Sequence, residues 1–159
     1  MKKKKVIIFT LLLVAITIML IGWSASKGKL YDYNYSEVAK KLELSPLNAK
    51  IPTKVPFDEM QLQNFSSNSQ QVEFTLFNVD KQSLTIKIIK DEIKYPETIK
   101  KETIKIGDNS NGIYIPEHSG KRIILWKHGG LSYEIAFGYK LTPIEVSKKQ
   151  LIKMVESFE

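Results

Sequence analysis

The side chains able to move protons or hold metals are few in this sequence. His118 and His128 supply all the imidazole, and there is no cysteine. The lack of thiols excludes thiol catalysis, a disulfide scaffold, a cysteine zinc site and a lipid anchor through cysteine. The two histidines sit near turns at the ends of one predicted strand, and a strand of that length spans about 30 Å. They cannot act on one substrate atom, and no His-Glu-x-x-His pattern or nearby third ligand completes a zinc site. A serine nucleophile needs a sharp Gly-x-Ser-x-Gly elbow, and none occurs. Ser119, beside His118, falls in a polar His118-Ser119-Gly120 turn.

The run Gly107-Asp108-Asn109-Ser110-Asn111-Gly112 has glycines at both ends. Its acidic and amide oxygens would repel a phosphate. Asp108 and Asn109 could meet a calcium ion, but the run falls short of the ligand count of a D-x-D-x-D-G loop. Paired carboxylates for glycoside hydrolysis can come from distant parts of a chain. Here the acidic residues fall among lysines at loop or outward positions, as on a solvated surface. No catalytic, metal-binding or cofactor-binding residue is assigned, and the chain is predicted not to be an enzyme, with an envelope hydrolase as the last alternative.

The positioning elements begin with Lys2 to Lys5, followed by Val6 to Trp23, 18 residues without a charge. As a helix that stretch reaches about 27 Å, close to the ~30 Å thickness of a bilayer core. The lysines should remain cytoplasmic by the positive-inside rule, and Trp23 suits the far headgroup region. The predicted layout is a cytoplasmic basic tail (1–5), a transmembrane signal anchor (6–23), a tether (24–35) and an extracytoplasmic domain (36–159). The alternative is a secretory signal cleaved among the small residues near Ser26, which gives a secreted product. An exported chain of this size without cysteine fits a bacterium with a single membrane. The cytoplasmic membrane is thus a predicted partner through residues 6–23.

Nucleic acid is excluded as a partner by the charge distribution. The 24 basic and 17 acidic residues give +7; removing the four leading lysines leaves 20 against 17, or +3. No long basic block remains on the domain itself.

Within the exported part, Tyr31, Tyr33 and Tyr35 alternate with polar residues, as in an extended linker or first strand whose rings cover the domain. An aromatic strip for a ligand or bilayer surface is the other reading. Ser36 is predicted to cap a short helix, Glu37 to Leu44, that Pro46 ends. Pro52 and Pro56 bracket an extended stretch unsuited to a helix or a central strand.

Gln71 to Val79 and Ser83 to Lys90 alternate apolar and polar residues around Asp80-Lys81-Gln82, which predicts an antiparallel hairpin. Asp91 to Glu97 reads as a connecting loop. Further strands are predicted at Glu102 to Ile106, Ile113 to Ile115, Arg122 to Lys127 and Leu131 to Phe137. Arg122 to Lys127 is apolar on both faces, as in a central strand covered on both sides. Ser147 and Gln150 have capping-box spacing. Leu151, Met154, Val155 and Phe158 then form one helical stripe.

The fold class is therefore α+β: a twisted antiparallel sheet of about six strands with a short N-terminal and a C-terminal helix packed on one face, preceded by one transmembrane helix.

Several of these residues carry a resemblance. IPTKVPF, the strand ending LWKHGG, the SYEI strand and the final LIKMVESF together resemble the bacterial extracytoplasmic domain of unknown function 4367. In that family a P-T-x-x-P motif, a tryptophan, a tyrosine strand and a terminal helix follow in this order. Pro52, Thr53, Pro56, Trp126, Tyr133 and the Leu151 to Phe158 segment carry the match, over roughly residues 38 to 158. The resemblance implies a membrane-anchored domain of Gram-positive bacteria, sometimes the outer half of an anti-sigma factor. A cytoplasmic part of five residues departs from that last arrangement, and Lys140 to Glu145 adds a Thr142-Pro143 turn. No catalytic residue comes with the resemblance.

The function expected from these features is a non-catalytic binding or accessory module. The sheet face away from the helices would meet an envelope protein or the membrane. A lipid or lipoprotein-carrier-like site for an apolar ligand is the alternative.

Overall fold

The computed structural model describes residues 28–108, 110–138 and 146–159. The predicted anchor, the signal-cleavage region, Asn109 and the Lys140 to Glu145 insertion lie outside these residues. Among the described residues no helix is long and apolar enough to cross a membrane.

Alternation of apolar and polar residues builds most of the sheet. Strands β3 (Gln61–Ser67), β4 (Gln71–Phe77), β5 (Ser83–Ile89), β6 (Glu102–Ile106), β7 (Ser110–His118), β8 (Lys121–His128) and β9 (Leu131–Phe137) form one antiparallel sheet in the order β3-β4-β5-β9-β8-β7-β6. Two meanders, β3–β5 and β6–β9, join where β5 pairs with β9, Ile86 opposite Ile135. A separate two-residue ladder pairs β1 (Tyr31–Asp32) with β2 (Lys54–Val55). Helix α1 (Ser36–Glu43) lies between them in sequence, and α2 (Lys148–Val155) closes the chain.

One face of the sheet carries Val72, Phe74, Leu76, Ile86, Ile124 and Phe137, packed with Val38 of α1 and Leu151 and Met154 of α2 into the main core. Both helices therefore sit over the same face. Ile115, Ile123, Leu125 and Ala136 point the other way and make a smaller cluster under Ile93, Tyr95 and Ile99. Those three belong to the crossover from β5 to β6, a strap of irregular chain across the helix-free face. The predicted two-sided burial of Arg122 to Lys127 has this origin.

Several boundaries differ from expectation. The sheet has seven strands because β3 escapes pattern reading: it is an edge strand, exposed at five of its seven positions. An edge strand with little to bury shows no apolar alternation. Strand β7 runs nine residues, well beyond Ile113 to Ile115, and accommodates Pro116 at a register shift between Ile115 and His118. A bulge relieves proline of its missing ladder donor. Helix α1 starts at Ser36 with Tyr35 at the cap position and no side-chain cap; the Ser36 hydroxyl bonds Asn34 Oδ1 instead. Tyr31 joins a strand, and the Tyr33 hydroxyl donates to the Pro52 carbonyl at 2.8 Å, so these two rings lie against the domain, whereas Tyr35 is exposed.

The C-terminal helix follows its pattern closely. Ser147 accepts from Gln150 N, and the Gln150 side chain accepts from Ser147 N, a complete capping box. The helix ends at Val155, and Phe158 lies beyond it, bridging to Pro52.

Candidate binding groove

Two aromatic or apolar assemblies stand out, one on each face of the sheet. On the helix-covered face, Trp126 and Tyr133 are direct cross-strand partners. Gly129 and Gly130, at φ 58° and 78°, form the tight turn that returns the chain between them. Such a two-residue turn needs left-handed backbone at both positions, which glycine adopts without a Cβ clash. The two rings stack at 4.9 Å and 18°, and Phe158 meets both edge-on, at 4.9 and 6.0 Å.

The segment carrying Phe158 is held by backbone bonds in both directions between Ile51 and Glu159. Thr53 adds bonds from its N–H and its hydroxyl to the Ser157 carbonyl, each 3.0 Å. Pro52, Thr53, Trp126, Tyr133 and Phe158, all singled out in the sequence, thus meet at one place and act as packing. Burial raises the Tyr133 hydroxyl above its ordinary pKa, and the Lys50 N–H donates to it at 3.1 Å. The cavity beside these rings is only about 90 Å³.

The helix-free face holds a larger opening. Between the strap and strands β6–β8 lies a groove of about 290 Å³. Odd-numbered residues of β6, β7 and β8 point to this side, bringing Thr103, Ile113 and Leu125 beside Ile93 of the strap. Ile113 is 39% exposed in this groove. Gly112 keeps neighbouring strands close: a Cβ there would lie 2.6 Å from Ile106 Cδ1 and 2.8 Å from the Leu125 carbonyl oxygen.

One rim of the groove is an ion pair. Lys127 Nζ donates to Glu92 Oε1 at 2.9 Å, and Lys94 Nζ approaches the other carboxylate oxygen at 3.6 Å. The hydrogen bond and charge of Lys127, aided by Lys94, hold the Glu92 carboxyl below its ordinary pKa. Farther along the strap, the Tyr95 hydroxyl donates to Glu134 Oε2 at 3.0 Å. Burial, reinforced by the Glu134 charge, pushes the Tyr95 hydroxyl upward in pKa. A proton held more tightly than usual is the opposite of what a nucleophile or general base needs. The groove can take up apolar groups and offer charge at its rim.

The histidines lie near the turns at the two ends of β8, as expected: His118 closes β7 opposite Lys121, and His128 closes β8 itself. His118 lies under the edge of Tyr95 at 5.2 Å between ring centres, and His128 lines the small cavity beside Trp126. Ser119 and Gly120, both at positive φ, form the β7–β8 turn. In the GDNSNG run, Gly107 and Asp108 turn the chain while Ser110 begins β7. The Gly107 N–H donates to Glu156 Oε1 at 3.2 Å. Among the described residues no group of three or more histidine or acidic side chains is placed to hold a metal.

The strap groove was missed in the sequence because its apolar members are scattered over positions 93, 113 and 125. The isoleucine in the charged run Asp91 to Glu97 is the one available signal. Comparison of the chain with protein-family models, with curated proteins and with solved structures finds no match.

Proposed function

We propose that this chain is a non-catalytic binding module held outside the cytoplasmic membrane by residues 6–23, and that its partner docks at the strap groove. The carrying observation is an open, mainly apolar groove on the face the helices leave free, rimmed by Lys127 and Glu92. At about 290 Å³ it sits at the lower end of small-molecule sites. That size suits one or two apolar side chains of an envelope protein, with the ion pair orienting a polar neighbour. The resemblance to the extracytoplasmic domain of unknown function 4367 supports the same placement outside the membrane of a Gram-positive-type bacterium. A short acyl group could use the same apolar lining, which keeps lipid binding as the second reading.

The test is photocrosslinking in the native envelope, with a benzophenone amino acid at Ile113 of the full chain and, separately, at Lys40 on α1. The expected result is a discrete protein adduct from position 113, absent from position 40, and lost when Thr103→Arg fills the groove. Equal labelling from both positions refutes the groove as the docking site. A lipid adduct in its place, seen by native mass spectrometry, selects the second reading.

A further inference from the structure

The two edges of the sheet are treated differently. Strand β6 is guarded: it carries Lys105 and follows Lys100 and Lys101, and Glu102 is tied to Lys148 at 2.8 Å and Lys100 at 3.8 Å. Charged edges of this kind discourage pairing with another chain. Strand β3 carries no charged residue of its own, although Lys41 of α1 stands over the Phe65 ring at 6.0 Å. Met60 to Val72 is a run of thirteen residues without a charge, the longest after Lys27, in a chain where 26% of residues are charged. Nine of the thirteen are Gln, Asn or Ser.

We propose that the free edge of β3 pairs antiparallel with β3 of a second copy, so that two domains share one continuous sheet. A two-fold interface sets residues against their own counterparts. Identical carboxylates or ammonium groups repel in that arrangement. Identical amides and hydroxyls are each donor and acceptor, and so can bond to themselves. A strand built from Gln61, Gln63, Asn64, Ser66 and Ser67 is self-complementary in this sense. The bulge between Leu62 and Asn64 bends the start of the strand, which puts the pairing axis near Asn64 to Ser66.

Symmetry adds a second argument. Antiparallel pairing of identical edges requires a two-fold axis normal to the sheet, which keeps the helix-covered faces of both copies on one side. The described chain begins on that side: the Gly28 and Lys29 carbonyls accept from Lys153 and Gln150 of α2. Both N-terminal segments therefore leave the dimer from one face. That is the arrangement two anchors in a single membrane require, a point resting on the proposed anchor; the edge pairing itself does not.

The absence of native cysteine makes the test direct. Directly opposed residues of an antiparallel pair have Cα atoms about 4.5–5.5 Å apart, within disulfide reach. Asn64→Cys and Ser66→Cys would be made singly in the full chain, in membranes, and oxidised mildly. A one-to-one mixture of the two covers the register between them. The expected result is a disulfide-linked dimer from one variant or from the mixture, at least tenfold above the level for Lys105→Cys on the other edge. Absence of linkage from all three samples, or equal linkage from Lys105→Cys, overturns the proposal. A groove that fails to capture a partner at Ile113 leaves this result unaffected, so the two ideas fail separately.

Discussion

Replacing Phe158 with alanine should loosen the whole C-terminal segment. The ring meets Trp126 and Tyr133 edge-on at 4.9 and 6.0 Å and is partly buried. Truncating a fully buried phenylalanine costs about 3–5 kcal/mol. With part of the ring in water, roughly 2–3 kcal/mol is expected, including about 0.5–1.5 kcal/mol for each aromatic contact. The backbone bonds between Ile51 and Glu159 survive the change and do not offset it. For a domain of this size each kcal/mol moves the unfolding midpoint by roughly 3–5 °C, giving a drop of roughly 6–15 °C. Near-ultraviolet circular dichroism would follow the melt through the aromatic cluster itself. Phe158→Leu keeps apolar contact but loses both edge-on rings, and should fall between wild type and Phe158→Ala. A shift below about 2 °C for Phe158→Ala would refute the idea that this trio pins the chain end.

Four other outcomes follow from particular groups. Ser147→Ala removes the hydroxyl that accepts from the Gln150 N–H, leaving only the bond from the residue-147 N–H to the Gln150 side chain, and should cost about 1 kcal/mol, read from denaturant midpoints at unchanged slope. Gly112→Ala forces a methyl against Ile106 and the Leu125 carbonyl and should destabilise by about 1–3 kcal/mol by the same measurement. The Glu92 carboxyl titrates below its ordinary value, so its pairing with Lys127 is intact above that value and lost as pH falls through the lowered one. Hydrogen-exchange protection at residues 91–94, corrected for the pH dependence of intrinsic exchange, should therefore fall as the pH drops below the ordinary carboxylate range, and Lys127→Met should abolish the change. Tyr33, Tyr95 and Tyr133 are all raised by burial, so the stability they lend is present below about pH 10 and lost above it. Absorbance titration should show these three ionising together with alkaline unfolding, later than exposed tyrosines.

What could be read from the chain was whatever repeats at short range. Val72, Phe74 and Leu76 alternate with half-buried partners and pair with Leu84, Ile86 and Ile88 in the expected hairpin, although its strands close at Phe77 opposite Ser83 and the connection is longer than Asp80 to Gln82. Ser147 and Gln150 mark the last helix by a local bond. The features that escaped depend on distance in sequence or on the absence of burial. Strand β3 is defined by its pairing with β4, because little on it is buried. Asn78 and Gln82 are polar yet buried, since the Asn78 amide donates to Gln82 Oε1 at 2.6 Å and to the Asp58 carbonyl at 3.1 Å. The strap groove needs residues from three regions brought together by the crossover, and no window along the chain contains them. The histidines gave no site, and their separation by the length of the sheet explains why no joint chemistry emerges.

The seam between β5 and β9 has a kinetic consequence. It joins residues 83–89 to residues 131–137, while every other strand pair in the sheet links neighbours in sequence. Each meander can zip up locally, but the seam must first close a loop of more than 40 residues, from Ile89 to Leu131. Non-local closure of this kind slows folding. Until it closes, two half-sheets present raw apolar edges along β5 and β9. For a newly made polypeptide, that waiting period is when a protease or a holdase has its chance to act.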